Sequence, residues 1–261
     1  MDNSADCKPR VAVSLTSFPP AISYAIEAVK SILRGSVLPD KIVMYLALPD
    51  FGEVGLPPEL LDLVDNNDIL EIRNHVPDLR SYMKLVPALS DFPDDIIVTI
   101  DDDVEYHEHL LRDLLKWHEK YPDVVLAHRT RRILKGRPYR GWPKFKKWHF
   151  LIKRNRAGFD VLQTGVGGVL YPPHSLKKEM IDPGLFTKLA PTTDDIWFWA
   201  AAVANGTKVM PVPFGRNKTK DLDKSRDLSL KKINYQTAED RNVKALETVL
   251  EHFPEVAERF G

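Results

Sequence analysis

The spacing of apolar and polar positions changes period along this chain. Val11-Ala12-Val13-Ser14-Leu15-Thr16 is a nearly continuous apolar run and predicts a buried strand; Ile22, Ile26, Val29, Ile32 and Leu33 then recur on one face of a helix. Further strands are predicted at Lys41-Ile42-Val43-Met44-Tyr45-Leu46, Ile69-Leu70-Glu71-Ile72-Arg73, Ile96-Ile97-Val98-Thr99-Ile100 and Val124-Val125-Leu126-Ala127. Between the last two, Leu110, Leu111, Leu114, Leu115 and Trp117 mark a helix. Strands that are apolar on both faces suit a parallel sheet covered on both sides, so the class predicted is α/β with a mostly parallel central sheet and helices on both faces.

The second half is less regular. Gly136 to Pro143 reads as loop because glycine and proline punctuate it. A strand at Gly167-Gly168-Val169-Leu170-Tyr171 is stopped by Pro172-Pro173, helical patterns follow at His174 to Met180 and Asp194 to Asn205, and Lys208 to Val212 is a short strand. Residues 216 to 232, with 7 Lys or Arg and 3 Asp, predict a mobile loop, and Thr237 to Phe253 a terminal helix docked on the body. No internal repeat is evident.

Composition narrows the class. With 261 residues and 43% hydrophobic content the chain can bury a core without staples. The single cysteine, Cys7, has no partner, so no disulfide framework exists and a reducing compartment is expected. The apolar run Ile196 to Ala204 is far short of the roughly 20 residues of a membrane span, and no signal peptide is recognisable; the expected location is cytoplasmic. Net charge is zero but unevenly placed. Residues 1 to 110 hold 20 acids and 8 bases, whereas 129 to 156 hold 12 bases and no acid lies between Asp123 and Asp160. Such a block attracts anionic partners or a membrane surface, unless it is simply a solvated loop. The balance of the whole chain argues against nucleic acid.

The most specific chemistry lies at the end of the fourth strand, where Asp101, Asp102 and Asp103 stand together. Ligands of open parallel sheets bind beyond the carboxyl ends of strands. Three adjacent carboxylates repel one another unless a cation sits among them; Asp101 and Asp103 can present oxygens to Mg²⁺ or Mn²⁺. The alternative is a cap on the following helix, which needs only one Asp. Asp194 and Asp195 open a second acidic site after the segment Thr164-Gly165-Val166-Gly167-Gly168. They read either as first-turn acids favoured by the helix dipole or as a general base and its partner. Phosphate-loop, dinucleotide, catalytic-triad and paired-histidine zinc patterns are absent. Within the basic block, Tyr139, Trp142, Phe145, Trp148 and Phe150 either stack on sugars or anchor the loop in the core.

The ordered set of Pro93-Asp-Asp-Ile-Ile-Val-Thr-Ile-Asp-Asp-Asp, a glycine segment and Thr193-Asp-Asp-Ile-Trp resembles the GT-A glycosyltransferases of bacterial polysaccharide assembly, over about residues 10 to 215. The resemblance implies a GT-A-like single unit over 1–261: a Rossmann-type nucleotide-binding half at 10–128, an acceptor-side half at 129–215, and the loop and terminal helix at 216–261. It implies a metal-dependent transfer from a nucleoside-diphosphate sugar, a UDP-sugar first, to a hydroxyl of a glycan or lipid-linked acceptor, with inversion. Asp101 and Asp103 would hold Mn²⁺ or Mg²⁺, and Asp101 and Asp102 would contact the donor. Asp195 would be the base that deprotonates the acceptor hydroxyl, with Asp194 orienting acceptor or helix. Thr16, Ser17 and Phe18 would contact the nucleoside, and Asp78, Arg80 and Lys84 the base or phosphate. Trp142, Gly167, Gly168 and Trp197 would line the acceptor side, and 129–156 would make peripheral membrane contact. One departure concerns the third metal ligand, a His that many members place after the acidic pair; here none occurs between Asp195 and His252. Arg216, Lys218 and Lys220 either neutralise phosphate or stay solvated. Two rival readings are a phosphohydrolase of the haloacid dehalogenase type, whose acidic motif normally ends the first core strand, and a non-catalytic, cation-dependent carbohydrate-binding module.

Overall fold

The computed structural model describes residues 9–145, 156–213, 219–222 and 240–260. Cys7, Trp148, Phe150, Arg216, Lys218 and most of the loop expected at 216 to 232 lie outside them.

Each apolar run read as a strand is one. The chain forms β1 (Val11–Thr16), α1 (Ile22–Leu33), β2 (Lys41–Leu46), α2 (Pro58–Asp65), β3 (Leu70–Asn74), α3 (Val86–Asp91), β4 (Ile96–Thr99), β5 (Val104–Glu105), α4 (Leu110–His118) and β6 (Val125–Ala127). There follow β7 (Thr130–Arg132), β8 (Val161–Gln163), β9 (Val169–Tyr171), α5 (Pro183–Leu189), α6 (Asp194–Ala204), β10 (Val209–Pro211), β11 (Lys220–Asp221), α7 (Arg241–His252) and α8 (Pro254–Phe260).

Seven strands make the main sheet in the order β10-β6-β9-β4-β1-β2-β3. All neighbours are parallel except β9, which runs antiparallel to both β4 and β6. Side chains alternate between two cores. Val13, Leu15, Ile42, Val98 and Leu126 pack with α1, α2 and α4 on one face; Ala12, Val43, Tyr45, Ile97 and Tyr171 pack with α3, α6 and α7 on the other. Each fully buried aliphatic side chain contributes about 1.5–3 kcal/mol, which is why runs apolar on both faces commit to the sheet centre.

Helix α6 is apolar all round and correspondingly buried. Its tryptophans find polar partners inside: Trp197 Nε1 donates to Met180 O at 2.7 Å and Trp199 Nε1 to Phe159 O at 2.9 Å. The C-terminal hairpin covers it, with Phe253 edge-on to Trp197 and Phe260 edge-on to Trp199. Arg259 Nη1 donates to Val203 O at 2.8 Å and also to Ala204 O, closing the last turn of α6. The terminal helix expected from Thr237 begins at Arg241 within the described residues, where Asp240 accepts from Asn242 N and Val243 N, and a second helix follows it from Pro254.

Two expectations are corrected. His174 to Met180 is not a helix, because His174 sits at φ 55, in the left-handed region. A 3-10 turn at Lys178–Ile181 leads instead into α5, started by Asp182 as N-cap and Pro183 in its first turn. Gly167 and Gly168 are not strand residues: Gly165–Gly167 form a 3-10 turn and Gly168, at φ 78, turns the chain into β9.

Candidate active site

The carboxyl ends of β1 and β4 lie side by side, with Ser14 paired to Thr99. The chain therefore leaves the sheet at Ser17 and at Asp101 in adjacent positions. The three aspartates do not cap α4, which begins at Leu110 with His109 as N-cap. They separate instead. Ser17 Oγ donates to Asp102 Oδ2 at 2.6 Å, and Lys84 Nζ donates to Asp101 Oδ1 at 2.8 Å. Asp103 is half-buried, and its backbone carbonyl accepts from Leu222 N at 2.8 Å. Tyr106 Oη, from the buried interior, accepts the backbone N–H of Asp101 at 2.8 Å and fixes the turn. Burial pushes Asp102 up to about 7, with the neighbouring Asp103 and Asp101 charges adding to it and the Ser17 hydroxyl opposing.

Lys84 joins this strand end to the second acidic pair. It lies in a 3-10 turn at Arg80–Lys84 that is anchored by Tyr82, whose ring stacks on Phe186 at 4.1 Å and whose hydroxyl donates to Ala190 O at 2.5 Å. Only 7% exposed, Lys84 lies 2.8 Å from Asp101 Oδ1 and 2.9 Å from Asp194 Oδ2. A buried ammonium is tolerated only when paired and hydrogen-bonded. Burial alone would lower its pKa, but Asp101, Asp194 and Asp195 together hold it well above the usual lysine value. Ser81 Oγ donates to Asp194 Oδ1 at 3.0 Å, so both oxygens of Asp194 are engaged away from its own helix.

Asp195 faces the glycine segment. Gly165 N–H donates to Asp195 Oδ1 at 3.0 Å, and Gln163 Nε2 donates to the Asp195 carbonyl at 3.2 Å. Thr193, the N-cap of α6, makes no side-chain capping bond. The side chains of the pair are bound instead to Ser81 and Lys84 (Asp194) and to Gly165 N–H (Asp195). Burial pushes Asp195 up to about 7; the Asp194 charge adds to this, and Lys84 and the Gly165 N–H oppose it. A Cβ on residue 165 would stand 2.6 Å from Asp101 Oδ1 and 2.7 Å from Lys84 Nζ, so a larger residue there would push the Lys84–Asp101 pair aside.

Of the other predicted residues, Thr16 Oγ1 donates to Tyr45 O at 2.9 Å, which commits it to β2, while Phe18 is 41% exposed beside Ser17. Asp78 and Arg80 are exposed, Asp78 Oδ1 accepting from Arg80 N–H at 2.6 Å, and Arg80 has φ 56. Backbone held in this region stores strain, which clusters at functional sites. Two acceptor-side expectations are corrected. Trp142, 1% exposed, has its Nε1 bound by Leu134 O and Arg137 O, and Trp197 is fully buried; neither has a face to offer a sugar. Gly167 abuts the backbone of Arg129 and Gly168 abuts Leu110. Lys220, considered for phosphate, pairs with Glu105 at 2.7 Å across the small β5–β11 ribbon. His252 is exposed on α7, with Nδ1 against Thr248 O. Ser81, Gln163, Gly165 and Tyr106 were not singled out from the sequence; only Gly165 carried a signal, as one of three glycines in a named segment.

The residues fit a divalent cation in a limited way. Asp101, Asp102 and Asp103 supply hard oxygen donors in half-buried positions at the sheet edge, suited to Mg²⁺ or Mn²⁺. Lys84 already shares Asp101, and among the described residues no three His, Cys, Asp or Glu side chains group to hold a metal by themselves. Such a site would need oxygens from its ligand.

A mostly parallel seven-stranded sheet with helices around it and a cluster of acidic side chains at its carboxyl edge has the α/β fold of the GT-A glycosyltransferases. Residues 87–180 match the model of glycosyl transferase family 2, a segment that holds the aspartate triplet and Gly165 but stops short of Asp194 and Asp195. The crystal structure of S. aureus TarS 1-349 in complex with UDP is similar, with a TM-score of 0.54 and 13% identity. The match covers 79% of this chain and 58% of that one, so this chain spans less than two thirds of TarS 1-349. No curated protein matches the sequence.

Proposed function

We propose that this protein transfers a sugar from a nucleoside-diphosphate sugar, a UDP-sugar first, to a hydroxyl of a glycan or glycolipid, with inversion and with dependence on a divalent cation. The observation that carries this reading is the Asp195 carboxylate, held by Gly165 N–H and linked through Asp194 and Lys84 to the aspartate triplet. The family 2 match across the triplet supports transferase chemistry over the phosphohydrolase and lectin readings. That Asp101 follows the fourth strand, not the first, also disfavours the phosphohydrolase.

In this mechanism Ser17, Phe18 and Asp102 form the nucleoside side of the cleft. Asp101 and Asp103 would hold the cation. When bound, it supplies Lewis-acid stabilisation of the departing diphosphate. Gly165 N–H fixes Asp195 Oδ1, which leaves Oδ2 to take the acceptor hydroxyl proton. A base whose pKa lies near neutrality combines the ionised state with useful basicity. Asp194, held by Ser81 and Lys84, keeps the start of α6 in place and stays out of the proton transfer.

The donor half is tested by thermal shift with nucleoside diphosphates, with and without Mn²⁺. A ligand that binds only the folded state raises its stability by about 2.7 kcal/mol at a hundred times its Kd. UDP is expected to raise Tm, more so with Mn²⁺. No metal-linked shift with any nucleoside diphosphate would contradict the donor-site reading.

A further inference from the structure

Strand β8 leads from Asp195 to a second feature. Gln163, which holds the Asp195 carbonyl, and Val161 are two residues apart and so face the same side, roughly 7 Å from each other along the strand. At the Val161 end an open cleft of about 170 Å³ is lined by Arg132, Pro143, Lys144, Phe145, Arg156, Asp160 and Val161. Its wall is rigidly built. Arg132 N–H donates to Pro143 O at 2.9 Å and Phe145 N–H to Thr130 O at 3.2 Å, adding 143–145 to the edge of β7. Arg131, buried behind it, donates to Trp142 O at 2.8 Å and lies over the Tyr139 ring at 4.4 Å. Trp142 is the anchor of this wall.

The chemistry of the lining is one-sided. Three cations face one acid, Asp160, whose Oδ2 accepts from Arg132 Nε at 2.6 Å and leaves the rest of that guanidinium to the cleft. Lys144 and Arg156 are exposed at its rim. Pro143, Phe145 and Val161 provide an apolar floor. Guanidinium groups bind phosphate and carboxylate oxygens in bidentate fashion, and an aromatic floor accepts the carbon face of a sugar ring. The bases belong to the acid-free stretch between Asp123 and Asp160, in a chain whose net charge is otherwise balanced.

We propose that this cleft binds an anionic glycan, a sugar chain bearing phosphate or carboxylate groups. The assignment of this chain as the acceptor rests on the transferase reading; its binding does not. The experiment measures fluorescence anisotropy of labelled phosphorylated dextran, polygalacturonate and neutral dextran with the full-length protein, beside co-sedimentation with phosphatidylglycerol vesicles. Phosphorylated dextran, polygalacturonate or both should bind at least about tenfold more tightly than neutral dextran, and the pair identifies which anionic group is preferred. The double variant Lys144→Glu, Arg156→Glu should lose at least about tenfold of that affinity, Lys188→Glu on exposed α5 should lose none, and UDP binding should be the same in all three proteins. Equal binding by wild type and double variant, equal binding of neutral dextran, no binding of either anionic polymer, or binding to vesicles alone would overturn the proposal. Retained UDP binding alongside any of these separates its failure from that of the transferase reading.

Discussion

Lys84 is the residue on which the two acidic sites depend. Asp101 and Asp194 come from distant parts of the chain, and each would meet the other's negative charge without the ammonium between them. Removing one partner of a buried ion cluster costs about 3–5 kcal/mol, because the remaining charges stay desolvated and unpaired. Lys84→Met should therefore lower stability by about that amount, measured by urea denaturation, whereas Lys188→Met on exposed α5 should change it by less than about 0.5 kcal/mol. Asp102 and Asp195 are both raised to about 7, and the pH dependence of proton abstraction is the part expected from Asp195. Its folded pKa is raised to about 7, so the folded protein binds a proton that the unfolded chain releases from about pH 4 upward. Stability from this group is thus lost as pH rises from about 4 to about 7, while the basic form needed for proton abstraction appears over the upper part of that window. Transfer measured as kcat/KM should rise with pH through about 7 and level off above it; a flat profile would remove Asp195 as the titrating base. Lys84 was visible in the sequence as a candidate helper, but periodicity could not reveal that it is buried. Ser81 and Gln163 gave no signal, because a hydroxyl or amide becomes significant only through what the fold sets opposite it.

At the scale of elements, α6 is positioned from both ends. Gly165, Ser81 and Lys84 hold the acids of its first turn, and Arg259 closes its last turn from α8. Helix ends leave carbonyls without intrahelical partners, and a cation there also complements the dipole. Arg259→Ala should lower stability by about 1–2 kcal/mol, read from a denaturant midpoint, with α8 gaining amide exchange first. Pattern reading located α6 within one residue at its C-terminus, because an all-apolar run after two acids is hard to mistake. It missed α5, where Asp182-Pro183-Gly184 has the composition of a turn, although Asp before Pro is also how a helix begins. It missed the break at Pro254 that makes the C-terminal segment two helices. It read Trp142 as either stacking platform or anchor, and burial decides for anchor.

Over the whole molecule, the parallel half from β1 to β4 was legible because each strand is apolar on both faces and each is followed by a helix or turn that returns the chain. The direction of β9 was not, since alternation carries no sense of direction; its antiparallel placement between β4 and β6 brings the glycine turn that precedes it to the mouth of β4. That one inversion is what sets Gly165 between Asp101 and Asp195. Among the described residues no helix is long and apolar enough to cross a membrane. Arg132, Lys144 and Arg156 of the basic stretch line a cleft next to β8. The aspartate triplet, Lys84 and Asp195 thus meet beyond the carboxyl end of β4, on elements whose order the sequence only partly disclosed.

In the proposed reaction Asp195 takes the proton from the acceptor hydroxyl while the triplet side holds the donor. This role is tested most directly by comparing wild type with Asp195→Asn, a nearly isosteric change that leaves an oxygen to accept from Gly165 N–H. Donor binding is followed by UDP titration with Mn²⁺, and chemistry by single-turnover transfer from a UDP-sugar to a glycan acceptor. The expected result is UDP affinity within about twofold of wild type and transfer slowed by about 10²–10⁴, the range that general base catalysis supplies. Transfer at the wild-type rate in Asp195→Asn would contradict the account.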